Sequence, residues 1–124
     1  MNNLSRIISL VIVAGTNAVA YPADGGGQVA FNNHCRTCHS VKEGDNRLGP
    51  TMHGIIGRKA GTVPGYAAYS GAMKGAGFAW DEATLDKFIA DPEAVVRNNN
   101  MKPYKGLPVA KVRKQIVDYL ASLR

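Results

Sequence analysis

The sequence brings two cysteines and a histidine together in one short stretch, Cys35-Arg36-Thr37-Cys38-His39. Cys35 and Cys38 are the only cysteines in the chain of 124 residues. Two thiols one turn apart can each add to a vinyl group on the same edge of a porphyrin, and the imidazole that follows can reach the iron from one face. The C-x-x-C-H pattern is typical of c-type haem attachment. It therefore predicts one covalent haem c, with thioethers from Cys35 and Cys38 and with His39 as an iron ligand.

Three other uses of the same residues stay open at this point. A thioredoxin-like dithiol needs a βαβ setting, but the chain has no strand pattern. A zinc site typically needs four ligands, and the remaining histidines, His34 and His53, belong to no paired motif. A structural disulfide here would close a very small loop and so stabilise little, and it would leave His39 without a role. Haem attachment is the interpretation that uses all three residues.

The second axial ligand of such an iron has three candidates after residue 20. A methionine sulfur would suit electron transfer, whereas an open position would suit ligand binding or turnover. Met52 follows His39 closely, and Met73 lies in a predicted helical turn where core packing is more typical. Met101 lies in a predicted loop between an asparagine run and Pro103, and such a loop can cross to the other face of a ring. A methionine alone packs as readily as it ligates, so the residues by themselves leave the choice open.

The first twenty residues have the pattern of a cleavable secretory signal peptide. Arg6 precedes an apolar run over residues 7–14, and Ala18-Val19-Ala20 has the small-x-small form of a cleavage site. The run is shorter than the roughly 20 residues that a spanning helix needs, so we predict no stable membrane insertion. We expect cleavage after Ala20, a mature domain of residues 21–124 and a periplasmic location.

The remaining chain predicts an all-α fold of three or four helices separated by long loops. Frequent glycines and prolines make residues 40–65 mostly loop, and so long a loop in a compact domain indicates a large buried group at the centre. Pro108 is expected in the first turn of the last helix. The predicted helices and turns cover residues 28–34, 69–74, 81–91, 93–97 and 108–123.

Several spaced motifs resemble those of the class I cytochromes c, the small monohaem c-type cytochromes of the mitochondrial-like bacterial type. The resemblance covers nearly all of residues 25–123. Besides the cysteine motif, it rests on Leu48-Gly49-Pro50-Thr51-Met52-His53-Gly54, Gly57-Arg58-Lys59-Ala60-Gly61, Pro64-Gly65-Tyr66, Tyr69-Ser70, Trp80, Leu85, Asp91-Pro92, Met101 and Gly106-Leu107. It implies the cytochrome c fold, wrapped around one covalent haem.

The resemblance also implies roles for individual residues. Met101 falls at the position of the axial methionine, opposite His39. The carbonyl of Pro50 would accept the proton of His39 and orient its ring. A desolvated haem propionate needs donors, and the residues that match those donors are Arg58, Tyr69 and Trp80.

Other positions match the packing of the family or depart from it. Gly27 and Phe31 match the first-helix positions that meet the last helix, here at Tyr119. Phe88 stands where many members have a tyrosine beside the axial methionine. One extra residue after Met101 leaves the position of the aromatic residue near the haem edge, in Pro103-Tyr104-Lys105, undefined.

The function that the resemblance implies is that of a soluble, monomeric single-electron carrier and not an enzyme. It would use an Fe(III)/Fe(II) couple between respiratory or other redox complexes. The formal net charge of +6, without aromatic and basic interleaving, disfavours nucleic acid and favours an acidic redox partner, such as a membrane oxidase, a reductase complex or a dehydrogenase. The partner would dock at a lysine-rich haem edge, with Lys42, Lys59, Lys74, Lys102, Lys105 and Lys111 as candidates.

Two alternative functions stay open. If the methionine ligand dissociated, the iron could bind peroxide or nitric oxide or support a peroxidase-like activity. A haem-free C-x-x-C redox protein would use only the two thiols.

Overall fold

The computed structural model describes Gly15 and residues 25–124, and the helices found there confirm the predicted all-α class. The helices are α1 (Gly25–His34), α2 (Gly71–Lys74), α3 (Glu82–Ala90), α4 (Pro92–Val95) and α5 (Ala110–Ser122). Within these residues, β pairing is limited to one antiparallel bridge between Lys59 and Ala79. The predicted signal peptide, apart from Gly15, lies outside the described residues. None of the described helices is long and apolar enough to cross a membrane.

Helices α1 and α5 cross at Gly27, where only a glycine leaves enough room. A Cβ atom at this position would lie 2.6 Å from the carbonyl oxygen of Gln115 and 2.6 Å from the Cβ of Tyr119. One turn further along α1, the ring of Phe31 lies 6.0 Å from the ring of Tyr119, and both side chains are buried. The predicted contact of Gly27 and Phe31 with the last helix is confirmed.

Two aspartates set the bounds of α3 and α4. The side chain of Asp81 accepts a hydrogen bond of 2.7 Å from the N–H three residues further on, which caps the start of α3. Asp91 caps the start of α4 in the same way at 3.3 Å. Pro92, which has no N–H to donate, follows immediately and separates the two helices. The predicted end of this helix at Asp91-Pro92 is confirmed.

The last helix begins later than the sequence predicts. It starts at Ala110, and Val109 is its extended N-cap residue. The guanidinium of Arg113 donates hydrogen bonds of 2.8 and 3.0 Å to the carbonyls of Leu107 and Pro108. These bonds hold Pro108 outside the first turn, so its prediction as a first-turn proline was wrong.

The helices do not fill the centre of the domain. The core cluster joins α1, α3 and α5 through buried side chains that include Phe31, Leu85 and Ile116. The long segments between α1 and α2 and between α4 and α5 close the remaining sides around a cavity of about 640 Å³. The predicted space for a large central group is therefore present.

Candidate haem site

The central cavity has a wall that is mostly apolar. Among the described residues that line it, Lys102 is the only Lys, Arg, Asp or Glu. Such a wall suits a large apolar ring better than a charged substrate. The predicted site residues that line the cavity are Cys38, His39, Pro50, Tyr69, Trp80 and Met101.

A tight turn after α1 positions the attachment motif. The backbone N–H groups of Cys38 and His39 both donate to the carbonyl of Cys35, at 3.1 and 3.0 Å. Cys38 lines the cavity, and Cys35 is half-buried against the core cluster. Both cysteines are free thiols. The turn therefore brings two thiols and the imidazole of His39 into one short segment beside the cavity.

His39 is buried and its ring is oriented by the backbone. Its Nδ1 donates to the carbonyl of Pro50 at 2.8 Å, since a carbonyl can only accept. This fixes the tautomer and leaves Nε2 as the ring nitrogen for a metal. Burial lowers the pKa of His39, against the opposite effect of the bond to Pro50. The neutral imidazole, which is the form that binds iron, is therefore favoured.

Gly49 makes room for that imidazole. A Cβ atom on Gly49 would lie 2.6 Å from Nδ1 and 2.8 Å from Nε2 of His39. Such distances are well inside van der Waals contact, so any side chain here would displace the ring. Gly49 belongs to one of the motifs of the sequence, but its role could not be predicted there, because only the folded chain brings it against His39.

The three candidate methionines all line the cavity. The N–H of Met52 donates to the carbonyl of Ser40 at 2.8 Å, which ties it to the segment that carries His39. Met73 is buried within α2. Met101 comes from a separate segment, beyond α3 and α4, whose neighbours Lys102 and Tyr104 also line the cavity. The lining of the cavity alone therefore does not choose among the three, and Met101 is the one that lies in a loop rather than beside Ser40 or within α2.

Residues 98–102 carry Met101, the predicted second ligand, and are named the ligand loop for that prediction. Asn99 is buried within it, with 3% of its surface exposed. Its Oδ1 accepts a hydrogen bond of 2.9 Å from the N–H of Met101, and its Nδ2 donates to Glu93 at 2.8 Å and to the carbonyl of Val96 at 3.0 Å. The sequence predicts a loop at this asparagine run but does not indicate this role for Asn99.

The other two asparagines also shape the ligand loop. Asn98 has a φ of 64°, a left-handed conformation that asparagine tolerates better than most residues. Asn100 donates to the carbonyl of Ala68 at 3.1 Å. The loop therefore ends α4 sharply and is tied to the opposite segment of the chain.

The three predicted propionate donors are not placed alike. The hydroxyl of Tyr69 accepts from the N–H of Val63 at 3.2 Å, and Tyr69 lines the cavity. Arg58 does not line it; its guanidinium donates to the carbonyl of His53 at 3.2 Å and lies at a second, smaller cavity of about 230 Å³. Trp80, the third of them, lines the main cavity. The structure thus brings Tyr69 and Trp80, but not Arg58, to the main cavity.

Aromatic side chains form much of the remaining wall. The ring of Trp80 is buried between Phe78, at 4.9 Å, and Phe88, at 5.0 Å. Tyr104, the aromatic residue in the segment after Met101, also lines the cavity. The hydroxyl of Tyr104 donates to the carbonyl of Ile89. Burial, followed by the charge of Cys35, raises the pKa of Tyr104 to about 12, so this donor stays protonated.

These features fit haem c. The motif supplies two thiols and an oriented imidazole with a free ring nitrogen, and the apolar cavity beside it is also lined by Met101, whose backbone N–H is bonded to Asn99. Within residues 25–124, no group of three or more His, Cys, Asp and Glu side chains could hold a metal ion. Burial, with a further contribution from Cys38, raises the pKa of Cys35 to about 11, whereas reactive C-x-x-C dithiols have lowered values.

Comparison with known proteins gives several close relatives. The chain is 41% identical to a cytochrome c2 iso-2 of Magnetospirillum molischianum over 90 residues, which are 73% of this chain and 91% of that protein. It is 38% identical to a cytochrome c of Euglena viridis over 98 residues, 79% of this chain and 94% of that one. The solved structure of cytochrome cH from Methylobacterium extorquens superposes with a TM-score of 0.70 at 37% identity, covering 78% of this chain and 95% of that chain. No protein-family model matches the chain.

Proposed function

The chain belongs to the class I cytochromes c, and on that basis we propose that its axial ligands are His39 and Met101 and that it works in the periplasm. It carries one haem c and is an electron-transfer protein, not an enzyme. When bound, haem c supplies a one-electron Fe(III)/Fe(II) couple. The observation that carries the ligand assignment is the cavity lined by both a backbone-oriented His39 and a loop-held Met101.

The two ligands are fixed by bonds that do not depend on the charge of the iron. Pro50 holds the ring of His39 and Asn99 holds the backbone of Met101. A histidine whose second nitrogen is bonded in this way is a more basic and better oriented ligand. Because both contacts persist when one electron is added, we expect little structural change between the two oxidation states.

The apolar wall of the cavity should raise the reduction potential of the haem. Side chains such as Leu85, Phe88 and Trp80 keep water from the cavity. A poorly hydrated site disfavours the extra positive charge of the oxidised iron, so the reduced state is favoured. Methionine ligation acts in the same direction. Together they support a carrier with a raised potential.

Cys35 and Cys38 are proposed to hold the group by thioethers, each formed when one S–H adds across one vinyl double bond. Tyr69 and Trp80 are the proposed donors to a propionate. Burial raises the pKa of Tyr69, whereas its bond from Val63 and then the charge of Arg58 lower it. Arg58 lies at the smaller cavity, and we propose that it supports the propionate from there.

The proposed partner docks at a lysine-rich face and is an acidic surface of a respiratory or other redox complex. The six candidate lysines named above are all exposed, and Lys102 also lines the cavity.

Export through a signal peptide at residues 1–20 would place the carrier beside periplasmic and membrane complexes. Mass spectrometry of the protein purified from the periplasmic fraction should then give a chain that begins at Tyr21; a chain that begins at Met1 would contradict cleavage after Ala20, and absence of the protein from that fraction would contradict export.

Reduction by a membrane complex should slow as salt is added. The Debye length falls from about 10 Å at 0.1 M to about 3 Å at 1 M ionic strength, so electrostatic steering is lost. With bacterial membranes as the electron donor, we expect the second-order rate constant to fall at least about tenfold between these limits. Lys105→Glu should lower the low-salt rate, whereas the control Lys114→Glu on exposed α5 should not. A rate independent of salt would contradict docking by lysines.

A further inference from the structure

We propose that Glu93 is the positioning residue for the Met101 ligand. Its single carboxylate holds the ligand loop on both sides of that methionine. This inference rests on the proposed function, in which Met101 is an axial ligand. Glu93 does not line the cavity, and we infer that it keeps Met101 in position through the loop.

The carboxylate of Glu93 accepts from three donors of the ligand loop. Oε2 accepts from the N–H of Asn98 at 3.2 Å, and Oε1 accepts from Nδ2 of Asn99 at 2.8 Å. Oε1 also accepts from the ammonium of Lys102. Two donors therefore precede Met101 and one directly follows it, so the carboxylate fixes both ends of the segment that presents the sulfur.

The contact reaches Met101 through one buried amide. Oδ1 of Asn99 accepts a hydrogen bond from the N–H of Met101, and Nδ2 of the same amide donates to the carboxylate of Glu93. Rotation of this amide would break both bonds at once, so Glu93 fixes the orientation of the amide that holds the ligand backbone. The carbonyl of Val96 also accepts from Nδ2, which gives the amide a second anchor at the same helix end.

Helix α4 holds Glu93 in a fixed position. Glu93 lies in the first turn of α4, where Asp91 caps the helix and Pro92 is buried. Helix α4 packs against α3, whose side chains line the cavity. The bond from Lys102, then that from Asn98, keeps the pKa of Glu93 below its ordinary value. The carboxylate is therefore charged at neutral pH and its three acceptor bonds are present.

Of the bonds that Glu93 accepts, the one from Asn99 should contribute most to the positioning of Met101. The side chains of Lys102 and Glu93 are 54% and 43% exposed, and exposed ion pairs of this kind contribute little and are screened by salt. The bond to Asn99 joins a charge to a buried amide, which is a stronger contact and a costly one to lose. The positioning effect should therefore persist at high salt.

Imidazole binding to the oxidised holoprotein measures how firmly Met101 holds its place, because an outside ligand must displace the sulfur. For Glu93→Ala we expect imidazole affinity to rise about tenfold, the ratio that loss of one charged hydrogen bond of ordinary strength gives. Glu93→Gln, which keeps the shape and loses the charge, should give a smaller rise. Asp118→Asn is the matched control, since it removes a carboxylate from an exposed ion pair on α5, and it should change nothing.

The same measurement in a Met101→Ala background separates two hypotheses: that Glu93 positions Met101, and that Met101 is the iron ligand. Glu93→Ala should have no further effect on imidazole affinity there, because the sulfur is no longer present to be displaced. Equal affinity in the wild type and in Glu93→Ala would overturn the inference, and so would the same rise with and without Met101. If Met101→Ala itself leaves imidazole affinity unchanged, then Met101 is not the ligand, and the proposed function fails along with the inference.

Discussion

Replacing Met101 with alanine is expected to lower the reduction potential of the holoprotein and to open the iron to outside ligands. A methionine sulfur opposite histidine raises the potential, since a soft thioether favours the reduced metal. Its loss should shift the midpoint downwards by more than about 59 mV, which is a tenfold change in a one-electron equilibrium. A potentiometric titration followed by visible absorption measures this shift.

The other two cavity methionines are the controls for this experiment. Met52→Leu and Met73→Leu keep the apolar volume of the wall and remove only the sulfur. We expect both variants to keep the long-wavelength absorption of a methionine–iron bond and most of the potential. A larger downward shift in either of them than in Met101→Ala would identify a different sulfur as the ligand.

Replacing Gly49 with alanine should destabilise the holoprotein by about 3 kcal/mol. Overpacking a filled site costs about 1–3 kcal/mol, and here the new methyl would collide with the ring of His39 rather than with a flexible chain end. Displacement of the ring also removes its bond to Pro50, a further loss of about 1 kcal/mol. For a domain of this size, Tm should fall by at least about 10 °C, as thermal unfolding of the oxidised protein would show.

Gly71→Ala is the matched control for this substitution. A Cβ atom on Gly71 would meet nothing within 4 Å, and the position lies at the start of α2. Without a collision, a glycine-to-alanine change at a compatible site is neutral or stabilises by up to about 1 kcal/mol. Equal Tm values for Gly49→Ala and Gly71→Ala would contradict the close contact of Gly49 with His39.

Features that depend on neighbouring residues could be predicted from the sequence. The spacing from Cys35 to His39 places thiols and imidazole on one turn, whatever the rest of the chain does. Asp81 defines a helix start because a cap bonds an N–H only a few residues away, and Asp91-Pro92 defines the end of that helix because proline has no N–H to donate. These local rules, together with the resemblance, were enough for the fold class and the haem.

Features that depend on how side chains meet in the folded chain could not be read from the residues alone. Gly49 meets His39 only after the chain folds back beside the cysteine motif, and Glu93 meets the ligand loop only through the turn that follows α4. The sequence placed Asn99 in a predicted loop, but it did not indicate that the amide is buried and bonded to Glu93, Val96 and Met101. Arg58 shows the opposite case, because a role matched by motif does not fix which of the two cavities the guanidinium lines.

The outcome for Pro108 has a similar cause. A proline before an amphipathic segment commonly occupies the first turn of a helix. Here the guanidinium of Arg113 donates hydrogen bonds to the carbonyls of Leu107 and Pro108, which precede the helix. The same guanidinium also pairs with Asp86 of α3 at 2.9 Å. A tertiary contact between α3 and α5 thus outweighs the local preference, and no window of sequence around Pro108 contains that contact.

The central claim is that the cavity holds one haem between His39 and Met101 and that the protein passes electrons singly. A potentiometric titration of the exported protein, followed at the haem absorption, tests it most directly. We predict a reversible transition with a slope of about 59 mV per tenfold change in the ratio of oxidised to reduced protein, as a one-electron couple requires. The methionine–iron absorption of the oxidised form should be present in the wild type and lost in Met101→Ala. A colourless protein whose thiols titrate with a slope of about 30 mV, as a two-electron dithiol would, would contradict a haem between His39 and Met101.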